Sequence, residues 1–331
     1  MKCSHKFQAN RDDGALALVS PINVRDDKDE PTLAPEPQMQ WGKRVELATQ
    51  TIVNSLILFS FYALIALGLS LAFGVMGTAN YAHGAFYMLG AYTVWLLYTL
   101  NHWPFLVTVL MAALIVGGIG VLAERFLFRR ARGDVVTGLL MSIGLIFVIE
   151  VLVEQIWGVG KPKPIPSFIE GTAHIAGASV SWQRLLVVPV AIVTIGALYY
   201  FLNRTKWGRS LRAVAMDGTA AALQGVSVNR AGLLALGVAS AMAGIAGAIM
   251  SPLLPVTPTM GHYVIWTCFV IIILGGAGNL KGTIIAAAIL AFLTTIVTTL
   301  LDSTIADIAG SLFVLIILSV RPQGLMGHVE R

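Results

Sequence analysis

Ionisable side chains are scarce in the apolar part of this 331-residue sequence, so the few that occur there are the first candidates for chemistry. Glu150 and Glu154 are four residues apart, a spacing that places both carboxylates on one face of a helix. Charged groups at membrane depth usually face the interior of a helical bundle, so Glu150 requires either a partner or a shifted pKa there. A proton-coupled carrier would use such a carboxylate, whereas Glu154 could simply reach the polar interface.

The segment Asn80-Tyr81-Ala82-His83-Gly84 lies where two apolar runs meet. One interpretation is a hydrogen-bonded turn, in which Asn80 and Gly84 supply backbone freedom. The other is a broken helix whose polar groups line a translocation path. We favour the second interpretation, chiefly because of a family resemblance described below. No second histidine or carboxylate lies near His83 in the sequence, so we do not expect a metal site there.

Nucleotide chemistry is not expected of this chain. Gly275, Gly276, Gly278 and Gly282 surround Asn279 and predict a tight turn, and the phosphate-binding pattern GxxxxGK[ST] does not occur. A membrane-embedded enzyme would need clustered His, Asp or Cys at membrane depth. The residues that come closest are His83, Glu150 and His262. Two cysteines, Cys3 and Cys268, exclude a disulfide framework. We therefore predict no catalytic residue, no bound metal and no cofactor in this chain.

The composition indicates a membrane protein. Only 12% of the residues are charged and 56% are hydrophobic, with a mean hydropathy of +0.79, whereas soluble domains have about 25% charged residues. The fold class is therefore all-α, a polytopic membrane helical bundle with about 8–10 transmembrane segments and one or more broken helices. The predicted apolar segments are 46–73, 81–100, 104–124, 135–157, 185–202, 231–254, 262–277, 283–301 and 305–320.

Two parts of the chain differ sharply in composition. Residues 1–45 mix acidic and basic residues with several prolines, which predicts a disordered N-terminal tail. Residues 46–327 carry all the apolar segments and form the predicted transmembrane domain, which includes a long basic loop at 203–230. Within this domain, small residues recur through 237–248, which predicts close helix packing rather than a site.

Loop charge predicts the orientation of the bundle. Basic residues concentrate in 124–134 and 203–230, which places both loops in the cytoplasm, and the weakly charged loop 158–184 outside. Three full crossings before the first basic loop would put the tail outside as well. Lys43 and Arg44 nevertheless flank the first span, so we favour a cytoplasmic tail and a broken or re-entrant segment after it.

The loop 203–230 contains a predicted helix from Ser210 to Leu223, which stops at Gly225. Its apolar residues could form one stripe, composed of Leu211, Val214, Ala215 and Leu223. Such a helix can lie on lipid or dock into a groove of a partner protein. The residues alone leave these two alternatives open.

Four stretches, spread over residues 50–327 in the family's order, resemble the branched-chain amino acid permease family of ABC importers. They are YALIALGLSLAFGVMGTANYAHGAFYMLGAY at 62–92, the loop 203–230, GGAGNLKGTIIAA at 275–287 and RPQGL at 321–325. The loop is similar to the coupling loop of ABC importer permeases, with its alanine-rich helix, acidic residue and downstream glycine. The matching positions are Arg212, Ala213, Ala215, Asp217 and Gly225. The tail of 1–45 departs from the family pattern.

The resemblance implies a translocation subunit that moves branched-chain or related small amino acids by alternating access; urea or short amides are the substrates of some relatives. It implies a second permease subunit, two cytoplasmic ATPase subunits that bind ATP and Mg, and an extracytoplasmic substrate-binding protein. The expected location is a bacterial-type inner (plasma) membrane, in contact with lipid and with no nucleic acid. The implied pathway residues are Asn80, His83, Gly84, Tyr87 and Glu150. An ion-coupled secondary transporter that uses Glu150 is the alternative.

Overall fold

The computed structural model describes residues 37–158, 160–321 and 323–326, with side chains from Arg44 onward except within the gaps. Most of the predicted tail therefore lies outside the described residues. Its last part is helical, because α1 begins at Pro37, before the predicted boundary at 45. Proline suits a first helical position, since its fixed φ matches the helix and no N–H is needed there.

Helices dominate the described residues. In chain order they are α1 (Pro37–Met76), α2 (His83–Val94), α3 (Phe105–Phe126), α4 (Val135–Trp157), α5 (Trp182–Leu185), α6 (Val187–Arg204), α7 (Lys206–Met216), α8 (Gly218–Leu223), α9 (Val228–Met250), α10 (Met260–Gly275), α11 (Leu280–Leu300) and α12 (Ser303–Val320). A π-helical turn, Trp95–Leu100, prolongs α2, and a 3₁₀ turn, Phe128–Ala131, follows α3.

The prediction of a polytopic helical bundle is confirmed. Seven segments of the described chain are helices long and apolar enough to cross a membrane. They are Arg44–Met76, Phe105–Phe126, Val135–Trp157, Trp182–Arg204, Val228–Met250, Leu280–Leu300 and Ser303–Val320. The two remaining predicted segments, 81–100 and 262–277, correspond to α2 with its π-helical turn and to α10, which has 16 residues. Each predicted apolar segment thus coincides with helix.

A short β-hairpin, not predicted from the sequence, lies in the loop between α4 and α5. Strand β1 (Thr172–Ile175) pairs antiparallel with β2 (Ala178–Ser181), and Thr172 faces Ser181. Ala176 and Gly177 form the two-residue turn, both with positive φ, of 46° and 89°. That backbone geometry matches the twist of a tight hairpin. The usual Asn-Gly signal is absent here, which explains why the hairpin was missed.

The connections gather at two ends of the bundle, which we call the hairpin end and the basic end. The hairpin end carries β1–β2 and the α9–α10 connection, since Lys163 and Val256 pair through their backbones. The basic end carries the turn after α3 and the start of α9, where Arg132 donates to Asn229 (2.6 Å). The α10–α11 turn belongs to the basic end too, because Gly278 contacts Gly74 near the end of α1.

The first span starts at the hairpin end, which is opposite the basic end. With the basic end in the cytoplasm, as the loop charge predicts, the span therefore starts outside, and the favoured cytoplasmic start is wrong. A Cβ atom at Gly177 would lie 3.6 Å from the side chain of Glu46, which places this part of α1 beside the hairpin. The chain therefore runs from the hairpin end to the basic end in α1, returns to the hairpin end through α2 and its π-helical turn, and reaches the basic end again in α3. Lys43 and Arg44 are outweighed because the larger basic clusters of the other loops lie at the opposite end.

The predicted interruption between 46 and 100 is present. Helix α1 ends at Met76, and residues 77–82 run without helical structure to His83. The His83 ring Nε2 lies 3.0 Å from the carbonyl oxygen of Ile65, far back along α1. Helix α2 therefore begins inside the bundle and rises toward the hairpin end, where Lys163 lies over the Trp95 ring at 5.1 Å. An irregular backbone is tolerated at this depth because protein surrounds it.

Small residues on α9 bring three helices together, as the pattern in 237–248 predicted. A Cβ atom at Gly244 would lie 3.0 Å from the Ala112 carbonyl oxygen of α3. On the α2 side, a Cβ atom at Gly90 would lie 2.2 Å from the Gly244 carbonyl oxygen, so the two backbones are in contact. In lipid, where apolar side chains gain little by leaving the solvent, such close packing is a main source of helix association.

Candidate functional site

The start of α2 forms a buried polar cluster. Asn80 Oδ1 accepts the Ala82 N–H (3.0 Å), and Ser142 Oγ on α4 accepts the Tyr81 N–H (3.0 Å). His83 donates through Nε2 to the carbonyl oxygen of Ile65. Asn80 and His83 are 1% and 0% exposed. The structure thus encloses both predicted pathway residues in protein.

Three polar atoms of this cluster lack a hydrogen-bond partner among the described residues. They are Asn80 Nδ2, His83 Nδ1 and the Tyr87 hydroxyl. Buried polar atoms are nearly always paired, so each unpaired one needs an explanation.

Helix α10 connects this cluster with Glu150 of α4. Gly84 packs against Gly261, where a Cβ atom would lie 2.4 Å from the Gly261 carbonyl oxygen. The neighbouring His262 has its Nε2 2.7 Å from Glu150 Oε1. No other described residue bonds this oxygen. The predicted pathway residues therefore share one region, and the required partner of Glu150 is His262. The sequence alone gave no signal for this pairing across α4 and α10.

We expect the Glu150–His262 contact to couple α4 to α10 energetically. Glu150→Gln and His262→Gln should each lower the thermal stability of the detergent-solubilised protein. Because the residues touch, the double variant should lose less than the sum, with a coupling energy of about 0.5–3 kcal/mol. Glu154→Gln, four residues along the same helix, is the matched control and should leave stability unchanged. Strict additivity of the two single effects would contradict the energetic coupling between the two residues.

The loop 203–230 folds as two helices, so the prediction of one helix over 210–223 is wrong. Helix α7 ends at Met216, and α8 begins at Gly218. Between them Asp217 has extended backbone, and its Oδ1 accepts the N–H groups of Thr219 (2.8 Å) and Ala220 (2.9 Å). Aspartate competes for backbone N–H groups in this way, which ends one helix and caps the next.

The predicted stop at Gly225 is confirmed. It has φ of 81°, a left-handed conformation that glycine adopts without strain, and it follows Gln224, the residue that caps the end of α8. The four residues of the predicted apolar stripe do not share one environment. Leu211 and Val214 are buried, whereas Leu223 is 84% exposed. Ala215 and Asp217 are also exposed, as is Arg212, which donates to Asn203 Oδ1 (2.7 Å). The loop therefore has one face bound to the bundle and one free face.

A buried ion pair lies directly behind this loop. The Glu124 side chain, 0% exposed, accepts a hydrogen bond from Arg132, which also bonds Asn229 at the start of α9. A Cβ atom at Gly232 would lie 2.0 Å from the Arg132 guanidinium, so glycine leaves the room for the pair. The pair fixes α3 to the base of α9. The basic residues of the loop 124–134 therefore have a structural role in addition to the topology they predict.

The glycine-rich segment at 275–282 is the predicted tight turn. Asn279 Oδ1 accepts the N–H groups of Lys281 and Gly282, both at 3.1 Å, and so caps α11. Its Nδ2 donates to the carbonyl oxygen of Met326 (2.8 Å), the residue after the RPQGL segment, and Leu325 of that segment donates its N–H to the Leu274 carbonyl oxygen (2.8 Å). Nothing among the described residues gathers three His, Cys, Asp or Glu side chains as a metal site would.

A bundle of this kind, with an interrupted helix at its centre and an exposed two-helix loop at its basic end, defines a multi-pass integral membrane protein of the permease class. Comparison with protein families matches residues 51–321 to the branched-chain amino acid transport system / permease component. The chain belongs to this family.

Curated relatives agree with the assignment. The chain is 27% identical over 298 residues to the high-affinity branched-chain amino acid transport system permease protein BraD of Pseudomonas aeruginosa, covering 85% of this chain and 96% of BraD. It is 27% identical to the LivH permease protein of Escherichia coli K12, over 85% of this chain and 96% of LivH. It is also 26% identical to LivM of that strain, over 85% of this chain and 69% of LivM. No solved structure matches the chain significantly. The ion-coupled alternative receives no support.

Proposed function

We propose that the chain is the translocation subunit of an ABC importer that carries branched-chain or related small amino acids across a bacterial-type inner membrane. The observation that carries the proposal is the exposed α7–α8 unit at the basic end of a bundle that belongs to this permease family. The unit is held by its own chain on one side only. In the proposed assembly the other side meets a cytoplasmic ATPase, one of two that bind ATP and Mg.

The free face of the loop favours a protein partner over lipid. Ala215 is exposed near the end of α7, and Ala220 and Ala222 are exposed between Met216 and Leu223, which are exposed as well. Alanine-rich surfaces allow a close approach of backbones, whereas a helix that lies in lipid needs bulky apolar residues on one face. ATP-driven closure of the ATPases would press on α7–α8. The movement would reach α9 directly and α3 through the Glu124–Arg132 pair.

The proposed pathway runs through the start of α2. Asn80, His83 and Tyr87 have unpaired polar atoms, and the irregular segment before α2 offers further backbone groups. These groups are enclosed in the state described here. Alternating access would expose them when α2 moves against α4 and α10, and Glu150 would sense that movement through His262. A second permease subunit, for which the likeness to both LivH and LivM argues, would complete the translocation path. An extracytoplasmic binding protein would deliver the substrate.

The decisive experiment is reconstitution. The purified subunit alone should hydrolyse no ATP. With a second permease and the ATPases in proteoliposomes, it should take up radiolabelled leucine only with internal ATP and loaded binding protein. An empty-vector preparation taken through the same purification is the control for contaminating ATPases. Uptake driven by a proton or sodium gradient without ATPases would overturn the proposal.

Variants at Asp217 separate two roles of that carboxylate. If it acts by capping α8, Asp217→Asn keeps the cap and should keep uptake, whereas Asp217→Ala should lose about 0.5–2 kcal/mol of local stability. The short α8 would then unfold, and uptake per ATP hydrolysed should fall several-fold. Gly218→Ala is the control, because no atom lies within 4 Å of a Cβ there. Loss of uptake in Asp217→Asn would show instead that the charge pairs with a partner.

A further inference from the structure

A cavity of about 410 Å³ opens at the hairpin end, between α1, α5, the end of α9 and α11. Its size falls in the range of about 300–1,000 Å³ that is typical of small-molecule sites. One wall is apolar and includes Phe61, Met250 and Leu253. No sequence motif pointed to this cavity, because four separate elements build it.

The other wall is polar. Four threonines of α11 line it at positions 294, 295, 298 and 299, a spacing that puts them on one helix face, and Asn54 of α1 also lines it. Polar side chains within spanning helices usually face a water-filled cavity or the bundle interior rather than lipid. Threonine hydroxyls can both donate and accept hydrogen bonds, so this wall can bind a charged ammonium group as well as water.

Arg184 of α5 also lines the cavity, and it alone carries a charge among the described lining residues. Its guanidinium is exposed and forms no ion pair with a described residue. Guanidinium groups bind carboxylates with two parallel, charge-assisted hydrogen bonds. The cavity thus combines a carboxylate-binding cation, hydroxyl groups and an apolar wall.

The cavity adjoins the proposed pathway. The Phe61 ring lies with its centroid 5.9 Å from that of Tyr87, whose hydroxyl is buried and unpaired. Phe61 therefore separates the cavity from the start of α2. A ligand in the cavity would need this aromatic pair to part before it could move further.

We propose that this cavity is a binding site for a free α-amino acid on the permease itself. Arg184 binds the α-carboxylate, the α11 threonines with Asn54 bind the ammonium group, and the apolar wall takes an aliphatic side chain. The site rests on the proposed function and gives the permease its own selectivity for α-amino acids. Phe61 and Tyr87 form the closed gate beneath it.

The test uses the full-length chain with Cys3 replaced by serine and Thr298 replaced by cysteine, labelled with a small neutral methanethiosulfonate. The native Cys268 is buried and should not react. Leucine should slow the labelling of position 298 several-fold. Leucinamide and isopentylamine, which lack the carboxylate, should protect far less.

Arg184→Gln should raise the half-protecting leucine concentration roughly tenfold or more, the effect of losing a charge-assisted hydrogen bond. Arg184→Lys should retain part of the protection, which separates loss of charge from misfolding. Lys161→Gln is the matched control, because Lys161 is an exposed base of the same end that does not line the cavity.

Two results would overturn the inference: no protection by leucine, or equal protection in the Arg184→Gln and parent proteins. The same preparations are reconstituted with the partner subunits and assayed for ATP-driven leucine uptake. If ATP-driven uptake occurs but leucine does not protect position 298 from labelling, the amino acid site is refuted and the proposed function stands. Protection by leucine in a protein whose uptake needs no ATPase would remove the proposed function and leave the site.

Discussion

Replacing Arg132 by alanine is expected to destabilise the protein by about 3–5 kcal/mol, because it leaves the Glu124 carboxylate buried without its partner. The Glu124 side chain is fully enclosed, and Arg132 is the only described residue that forms an ion pair with it. The measurement is thermal unfolding of the detergent-solubilised protein, with the folded fraction at each temperature determined by size-exclusion chromatography. The packing of α3 against α9 at the basic end should be lost before the rest of the fold.

Two further variants make this prediction specific. Arg125→Ala removes an exposed arginine from the same end of α3 and should change the unfolding temperature little. Adding Glu124→Gln to Arg132→Ala should recover part of the loss, because the unpaired charge is removed. Equal unfolding temperatures for Arg132→Ala and Arg125→Ala would contradict the role of the buried pair.

Alanine at Gly90 is expected to prevent α2 from packing against α9. The added Cβ would lie 2.2 Å from the Gly244 carbonyl oxygen and 2.7 Å from its Cα. Both atoms belong to backbone, so no side chain can rotate away and the helices must separate. Overpacking a well-filled interior typically costs about 1–3 kcal/mol, and contacts with a rigid backbone lie at the upper end.

The expected result is a several-fold lower yield of folded protein, measured by size-exclusion chromatography of the solubilised membrane fraction. Gly118→Ala on α3 is the matched control, because Gly118 is exposed and a Cβ there meets no atom within 4 Å. That change should be neutral or slightly favourable, since alanine is the better helix former. An undiminished yield of Gly90→Ala would show that α2 and α9 do not pack this closely.

The helices could be predicted from hydropathy because every spanning segment must satisfy its backbone internally and present apolar side chains. The interruption near Asn80 and Gly84 followed from residue types that break helices. The split of the coupling loop at Asp217 was missed, because a local capping contact overrode good helix propensity on both sides. Local sequence can favour either outcome there, and only the geometry decides.

Features that join distant segments could not be predicted. His262 meets Glu150 only because Gly84 and Gly261 let α2 and α10 approach. The cavity beside Arg184 needs four elements in place. The expected orientation of α1 differs from the observed one because Lys43 and Arg44 contribute less to the topology than the larger basic clusters at the opposite end of the bundle.

The enclosed position of α2 has a consequence for how the protein is made. Every residue of α2 except Leu89 is buried, and α9 and α10 supply much of the cover. Chains emerge from the ribosome amino end first, so α2 is synthesised long before either helix exists. Until α9 and α10 are synthesised, the polar residues Asn80 and His83 at the start of α2 are not fully surrounded by protein. The nascent chain must therefore keep α2 beside α1, or in the insertion machinery, until α9 arrives to complete its surroundings.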